Sequence, residues 1–403
     1  MAHTIVIGAG QAGAALVARL RTRGEEGPIT LIGEELVPPY QRPPLSKAYL
    51  LGEMEQPRLF LRPESFYADH DITLRTGARV TGIDRAARTV TLSDGETLAY
   101  DRLALTTGSH PRRLPEAIGG DLPGVLAMRT LADADEMRPY LRPGNSLLVV
   151  GGGYIGLEAA AVAAKSGMKV TLIEAAARIL GRVAAPETAA WFRDLHRAHG
   201  VGIIENTGLT RLLGEEHVTG ALLADGREVA CDVAIAGIGI APATELAEAA
   251  GLTLDNGIAT DLRGQTSDPA IWAAGDCASL PYRGQRIRLE SVQNAIDQAE
   301  AVADNMMGAE ADYVPKPWFW SDQYDVKLQI AGLNTGYDRV VTRPGEGAAV
   351  SFWYYCGDTL LAVDAMNDPR AYMTGKRLIE AGRSPAADQV ADPATALKAL
   401  LTA

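Results

Sequence analysis

The chain has 403 residues, 47 % of them apolar and 22 % charged. That length ordinarily builds two or three domains, and that composition excludes disorder and collagen-like structure. The formal net charge of −12 repels phosphate backbones and argues against nucleic-acid binding. It is unevenly spread: residues 314–403 carry only −1 and the first 313 residues −11, so the C-terminal part is the least repulsive surface toward an acidic protein partner. No run of 18 apolar residues occurs, so no transmembrane helix is expected. A strand pattern at residues 3–7 stands where a secretory leader would need a basic segment and a cleavage site, so no leader is expected. Cys231, Cys277 and Cys356 lie far apart and form no CxxC. This fits a reducing cytoplasm and argues against a disulfide scaffold or a structural zinc site.

In chain order, an apolar strand at 4–7 runs into Gly8-Ala9-Gly10-Gln11-Ala12-Gly13, and residues 14–20 read as a helix. A second strand, 29–33, ends at Glu34, 21 residues beyond Gly13. The first glycine allows the tight turn, the second lets backbone approach a pyrophosphate, and the third lets helix pack on strand. The helix N-terminus offers unpaired N–H groups and a positive dipole end, and Glu34 can accept from a ribose diol. Residues 101–108 read as a strand closing on the small residues Thr107 and Gly108.

The pattern then recurs. A strand at 146–150 precedes Gly151-Gly152-Gly153-Tyr154-Ile155-Gly156, a helix covers 157–165, and a strand at 169–173 ends at Glu174, 18 residues beyond Gly156. Residues 233–239, with Gly237, are the counterpart of 101–108. Two copies imply two dinucleotides bound by two homologous domains, the pair that hydride exchange between a flavin and a nicotinamide requires. A carboxylate at Glu174 accepts from a ribose 2′-hydroxyl and repels a 2′-phosphate. Residues 175–177 are all alanine, so NADH is expected over NADPH, with Arg178 the one feature against it. A last strand, 270–276, closes on Asp276 at its carboxyl end, where doubly wound sheets bind ligands. Asp276 is either an acceptor for a sugar-alcohol hydroxyl or the cap of a following helix.

These motifs resemble the FAD-dependent NADH:ferredoxin reductases of the putidaredoxin-reductase type, which serve oxygenases and cytochromes P450 and share the glutathione-reductase-like fold. The matching stretches are GAGQAG (8–13), RPPLSKAYL (42–50), DRLALTTGS (101–109), GGGYIGLEAA (151–160), AGIGIAP (236–242), TSDPAIWAAGDCA (266–278), ESVQNA (290–295) and WFWSDQYD (318–325). The resemblance implies an α/β protein with two Rossmann-type dinucleotide-binding domains and an α+β C-terminal domain. The FAD domain would be discontinuous, 1–108 plus 240–313, with the NAD domain at 109–239 and the C-terminal domain at 314–403. It implies FAD on Gly8, Gly10, Gln11, Ala12 and Gly13, with Glu34 at the adenosine ribose and Val80 at the adenine. Thr107, Gly108, Arg129 and Trp320 would also contact a cofactor. Arg42 and Lys47 would approach the isoalloxazine side, Asp276 the ribityl chain, and the Val292 N–H the flavin pyrimidine edge. NADH would lie on Gly151, Gly153, Tyr154, Ile155, Gly156 and Gly237, with Glu174 at its ribose, Glu158 at its nicotinamide end and Arg182 nearby. Lys47 and Glu158 are expected to pair as the catalytic residues.

Relatives that reduce disulfides carry a cysteine pair where this chain reads Arg42-Pro43-Pro44-Leu45-Ser46-Lys47, so electrons must pass directly to an outside acceptor. The expected function is electron transfer from NADH through FAD to a [2Fe–2S] ferredoxin. Rubredoxin reduction, NADH oxidation, or NADH sensing without turnover are the alternatives. No resident metal is expected: His196 and His199 lack a third ligand nearby and read as a solvated helix face. Trp318 reads as core and Cys277 as a small buried residue. Arg283, Arg286 and Arg288 read as a solvated loop, with acceptor docking the alternative.

Overall fold

The computed structural model describes residues 2–401. The chain divides into two compact units, one of residues up to 41, 55–110 and 240–317, the other of 42–54, 111–239 and 318 onward. Among the described residues no helix is long and apolar enough to cross a membrane.

The first unit is built on a parallel sheet in the order Ile271–Ala273, Arg102–Leu105, Thr4–Ile7, Ile29–Ile32, Ile72–Arg75. Its central strands are mostly apolar and buried almost throughout, because both faces are covered. Alternation sorts their side chains between two cores. Ile5, Ile7, Leu103 and Leu105 pack with Val80, Val90 and Leu92 of a small antiparallel sheet. Val6, Ala104 and Trp272 pack on the other side against Leu16 and Val17 of helix Gln11–Thr22 and Val302 of helix Val292–Met306.

The second unit repeats the architecture with the parallel order Gly202–Ile204, Lys169–Ile173, Ser146–Val150, Val233–Ala236, Val125–Leu126. It also holds a five-stranded antiparallel sheet in the order Trp318–Gln323, Val326–Gly332, Thr359–Met366, Val350–Cys356, Arg339–Pro344. Helix Pro369–Glu380 covers one face of that sheet, with Ala371 and Leu378 on Trp353, Tyr355 and Val363. Helix and sheet approach closely at Gly375, where a Cβ would lie 2.5 Å from Val363 Cγ2.

These units cut across the expected boundaries in two places. Residues 42–54, expected with the first domain, belong to the second unit, and residues from 318 onward join 111–239 instead of standing apart. Polar contacts join these segments within the unit: Ser46, Lys47 and Ser321 all bond to Glu158.

Candidate active site and cofactor cradles

Both glycine fingerprints sit between a buried strand and a 12-residue helix, Gln11–Thr22 in one unit and Tyr154–Lys165 in the other. Their glycines divide by role. A Cβ on Gly8 would lie 2.2 Å from Thr106 O, and one on Gly13 would lie 2.1 Å from Gly8 O. In the second copy a Cβ on Gly151 would lie 2.4 Å from Gly237 O, and one on Gly156 would lie 2.2 Å from Gly151 O. Gly8 and Gly151 also hold φ of 110° and 106°, where side chains are strained. A Cβ on Gly10 or Gly153, by contrast, would meet nothing within 4 Å. Packing explains the outer glycines of each motif and leaves the middle one unexplained. An open backbone at a helix N-terminus is what a pyrophosphate needs, so both turns fit a dinucleotide.

The acids differ in setting. Glu174 Oε2 accepts from Gly152 N at 2.8 Å and Oε1 from Ala176 N at 2.8 Å, which fixes the carboxylate beside the second glycine turn. Arg178, the feature against NADH, is committed elsewhere: its Nη2 donates to Ala184 O at 2.8 Å. Glu34 is exposed, and its partner is the side chain of Arg79 at 3.5 Å.

The expected Lys47–Glu158 pair forms. Lys47 follows the short 3-10 turn Pro43–Ser46, and its Nζ donates to Glu158 Oε2 at 2.7 Å. Glu158 lies in helix Tyr154–Lys165, and its side chain is 9 % exposed. Ser46 Oγ donates to Oε2 at 3.0 Å and Ser321 Oγ to Oε1 at 2.7 Å. Neither serine was singled out from the sequence. Their signal was the matched stretches RPPLSK and WFWSDQYD, but 112 and 163 positions separate them from Glu158.

The other expected residues are placed as follows. Arg42 Nη1 donates to Arg129 O at 2.7 Å, so these two meet through backbone. The Tyr154 ring packs on Phe319 at 5.1 Å and its hydroxyl is buried, leaving its backbone for a dinucleotide. Ile155 is 44 % exposed in the first turn of the same helix. Arg182 is exposed, with its guanidinium 3.4 Å from where a Cβ on Gly239 would stand. Trp320 is partly buried, its ring 5.6 Å from that of Trp318, which packs against the C-terminal core as expected.

In the first unit, Val80 is buried and opens strand Val80–Asp84. Thr107 Oγ1 donates to Ala243 O at 2.7 Å, and Gly108 O accepts from Ala243 N at 3.0 Å. Asp276 is followed by strand Ala278–Tyr282, not by a helix, so the capping alternative falls. Its Oδ2 accepts from Ser109 Oγ at 2.9 Å. Val292 opens the 15-residue helix Val292–Met306, whose N-cap Ser291 accepts from Asn294 N. Cys277 is fully buried, and burial pushes its thiol above the ordinary range.

Two sequence readings are corrected. His196 does not lie on a solvated face; it is 0 % exposed and bonds Gln323 and Tyr324. It follows Ala189 and Phe192 on the buried face of helix Pro186–Ala198, at a spacing the sequence already carried. Nor do Arg286 and Arg288 form a solvated loop or a free basic patch; Arg283 is exposed, in the turn between strands Ala278–Tyr282 and Gln285–Ile287. Arg288, its side chain 10 % exposed, pairs with Glu290 at 2.5 Å and donates to Asp276 O at 3.1 Å. Arg286 donates to Ser279 O at 2.7 Å and Thr260 O at 2.9 Å.

Comparison with known proteins agrees with this geometry. Residues 2–299 match the family described as pyridine nucleotide-disulphide oxidoreductase, and residues 318–401 match the reductase C-terminal family. The chain belongs to the pyridine nucleotide-disulphide oxidoreductases, in the group that carries this C-terminal domain. It is 43 % identical to putidaredoxin reductase CamA of Pseudomonas putida over 410 residues, covering 100 % of this chain and 97 % of that one. It is 41 % identical to rhodocoxin reductase of Rhodococcus erythropolis, covering 96 % and 92 %. The solved covalent putidaredoxin reductase–putidaredoxin complex superposes with a TM-score of 0.96 at 42 % identity, covering 100 % of this chain and 98 % of that one.

Proposed function

We propose that the protein is an NADH-dependent flavoprotein reductase that passes electrons through FAD to a [2Fe–2S] ferredoxin serving a P450 or aromatic-ring oxygenase. The observation that carries this reading is the pair of glycine turns whose middle residues face open space. The kind of acceptor is supported by the 43 %-identical relative, a putidaredoxin reductase, and by the superposed complex, in which such a reductase is joined to putidaredoxin. All three cysteines are free, Cys231 and Cys277 being buried and Cys356 exposed, which supports direct electron exit and a cytoplasmic setting. FAD, when bound, supplies the redox chemistry by accepting a hydride and releasing electrons singly.

The chain's own residues bind and orient. The turn from Gly151 to Gly156 and the N-terminus of helix Tyr154–Lys165 hold the NADH pyrophosphate. Glu174 reads its ribose, and Lys47 with Glu158 orients the nicotinamide end. In the other unit Gly8, Gly10, Gly13 and Asp276 hold FAD, and the N-terminus of helix Val292–Met306 favours negative charge placed against it. The test is turnover with separate acceptors. NADH should reduce a [2Fe–2S] ferredoxin far faster than rubredoxin or dioxygen. Equal rates with all three, or none with any, would refute the proposal.

Two expectations follow from single carboxylates. Glu174→Ala removes the ribose acceptor and frees the Gly152 and Ala176 N–H groups, so the kcat/KM ratio of NADH to NADPH should fall by about tenfold. An unchanged ratio would remove Glu174 from cofactor choice. Asp276→Ala should weaken FAD binding by roughly 1–2 kcal/mol, about tenfold in Kd. Equilibrium dialysis of the flavin checks this, and full retention would remove Asp276 from FAD binding.

A further inference from the structure

A chain of buried polar side chains leads away from Glu158 through the second unit. Ser321 Oγ donates to Glu158 Oε1 at 2.7 Å, and Gln323 Nε2 donates to Ser321 Oγ at 3.1 Å. Gln323 Oε1 lies 2.8 Å from His196 Nε2, and the Tyr324 hydroxyl lies 3.1 Å from His196 Nδ1. Ser321, Gln323 and His196 are each 0 % exposed.

Only one arrangement of protons satisfies the chain. A carboxylate only accepts, so Ser321 must give its single proton to Glu158. Turning the Gln323 amide over would set its oxygen against Ser321, leaving two acceptors competing for that proton. The amide nitrogen therefore faces Ser321, and its oxygen takes the Nε2–H of His196. Burial pushes the imidazole down to about 4, so it is neutral at pH 7 and its Nδ1 accepts from Tyr324. Every donor points toward Glu158.

The far end is strained. Gln323 pairs with Val326 across a two-residue turn, and Tyr324 in that turn has φ 58°. A bulky side chain is costly in the left-handed region and persists only where its surroundings hold it. Here the hydroxyl bonds His196 and the ring stacks on His199 at 3.7 Å and 13°.

We infer that Ser321, Gln323, His196 and Tyr324 are positioning residues for Glu158, locking one carboxylate oxygen so that the other meets Lys47. This rests on the reading of Glu158 as part of the NADH site. The chain orients rather than conducts, because an amide between serine and imidazole relays a proton only through its disfavoured imidic tautomer.

The test uses the FAD-loaded full chain. Ser321→Ala, and separately His196→Phe, should slow anaerobic flavin reduction by saturating NADH about five- to tenfold, with the apparent Kd for NADH nearly unchanged. His196→Gln, which keeps a donor toward Gln323, should recover most of the rate. In a Glu158→Ala background, Ser321→Ala should add no further loss. A Ser321→Ala effect of the same size in both backgrounds would overturn the inference. Imidazole 15N NMR of the unmodified protein without NADH supplies a readout apart from activity, with the His196→Gln spectrum assigning the signal. The Nε2–H tautomer is expected, and the Nδ1–H tautomer would overturn the chain. Wild-type flavin reduction in Glu158→Ala alone would instead refute the reading of Glu158 on which the inference rests, while the tautomer still reports on the chain itself.

Discussion

Replacing either Lys47 or Glu158 by alanine will slow flavin reduction by NADH roughly ten- to hundredfold, and the double variant will be little worse than the slower single one. The two groups meet at 2.7 Å with side chains only 22 % and 9 % exposed. Removing one partner of such a pair leaves the other charge sheltered and uncompensated, which is why breaking it is costly. Without Glu158, Lys47 keeps, among the described residues, only the Pro43 carbonyl, at 3.4 Å. Without Lys47, Glu158 keeps two neutral serine donors. Each single change thus abolishes the same interaction, and the second has little left to remove. Stopped-flow absorbance at saturating NADH measures all four corners of the cycle. Fully additive losses would mean that lysine and glutamate act independently.

Asp364→Asn will change how stability responds to pH. Asp364 is 1 % exposed, and its Oδ2 accepts from the Tyr354 hydroxyl and, at 2.7 Å, from Thr188. Burial pushes its carboxyl up to about 6 from the ordinary 3.8, with the two hydroxyl donors opposing. The native chain therefore holds a proton that the unfolded chain has released. The resulting stability is fully present below the unfolded pKa and is lost as pH rises through about 6, amounting to about 3 kcal/mol over the whole window. His196 acts with the opposite sign. Its native pKa of about 4 lies below the ordinary 6.5, so the unfolded chain binds the proton first and stability is lost as pH falls through that interval. In the wild type the two trends offset each other in the shared window. In Asp364→Asn only the histidine trend remains. Urea titrations at pH 5 and 7.5 should show the variant gaining about 1.4 kcal/mol on the wild type between the two values. Parallel pH profiles for the two proteins would mean that Asp364 does not titrate in this range.

Much of the dinucleotide architecture was written locally. Strand, glycine turn, helix and second strand occupy about thirty consecutive residues, and strands Thr4–Ile7 and Lys169–Ile173 stand where the apolar runs put them. Gly13 and Gly156 were legible because each meets the first glycine of its own turn, and Gly8 and Gly151 because the turn sets them at positive φ. Glu174 was legible because it ends the strand beside its own turn. The resemblance added the Lys47–Glu158 pair, which no spacing could show across 111 positions.

Only the tertiary structure decided what surrounds that pair and which polar residues are buried. Residues 42–54 belong to the second unit, where Ser46 and Lys47 donate to Glu158. Arg286 and Arg288 look free in sequence, yet backbone carbonyls at Thr260, Ser279 and Asp276 absorb them. His196 looked solvated because its partners, Gln323 and Tyr324, lie more than 120 residues away. Local sequence encodes periodicity and turn chemistry, which act over a few residues. Whether a buried polar group finds its partner depends on which distant segments the completed fold brings within hydrogen-bonding reach.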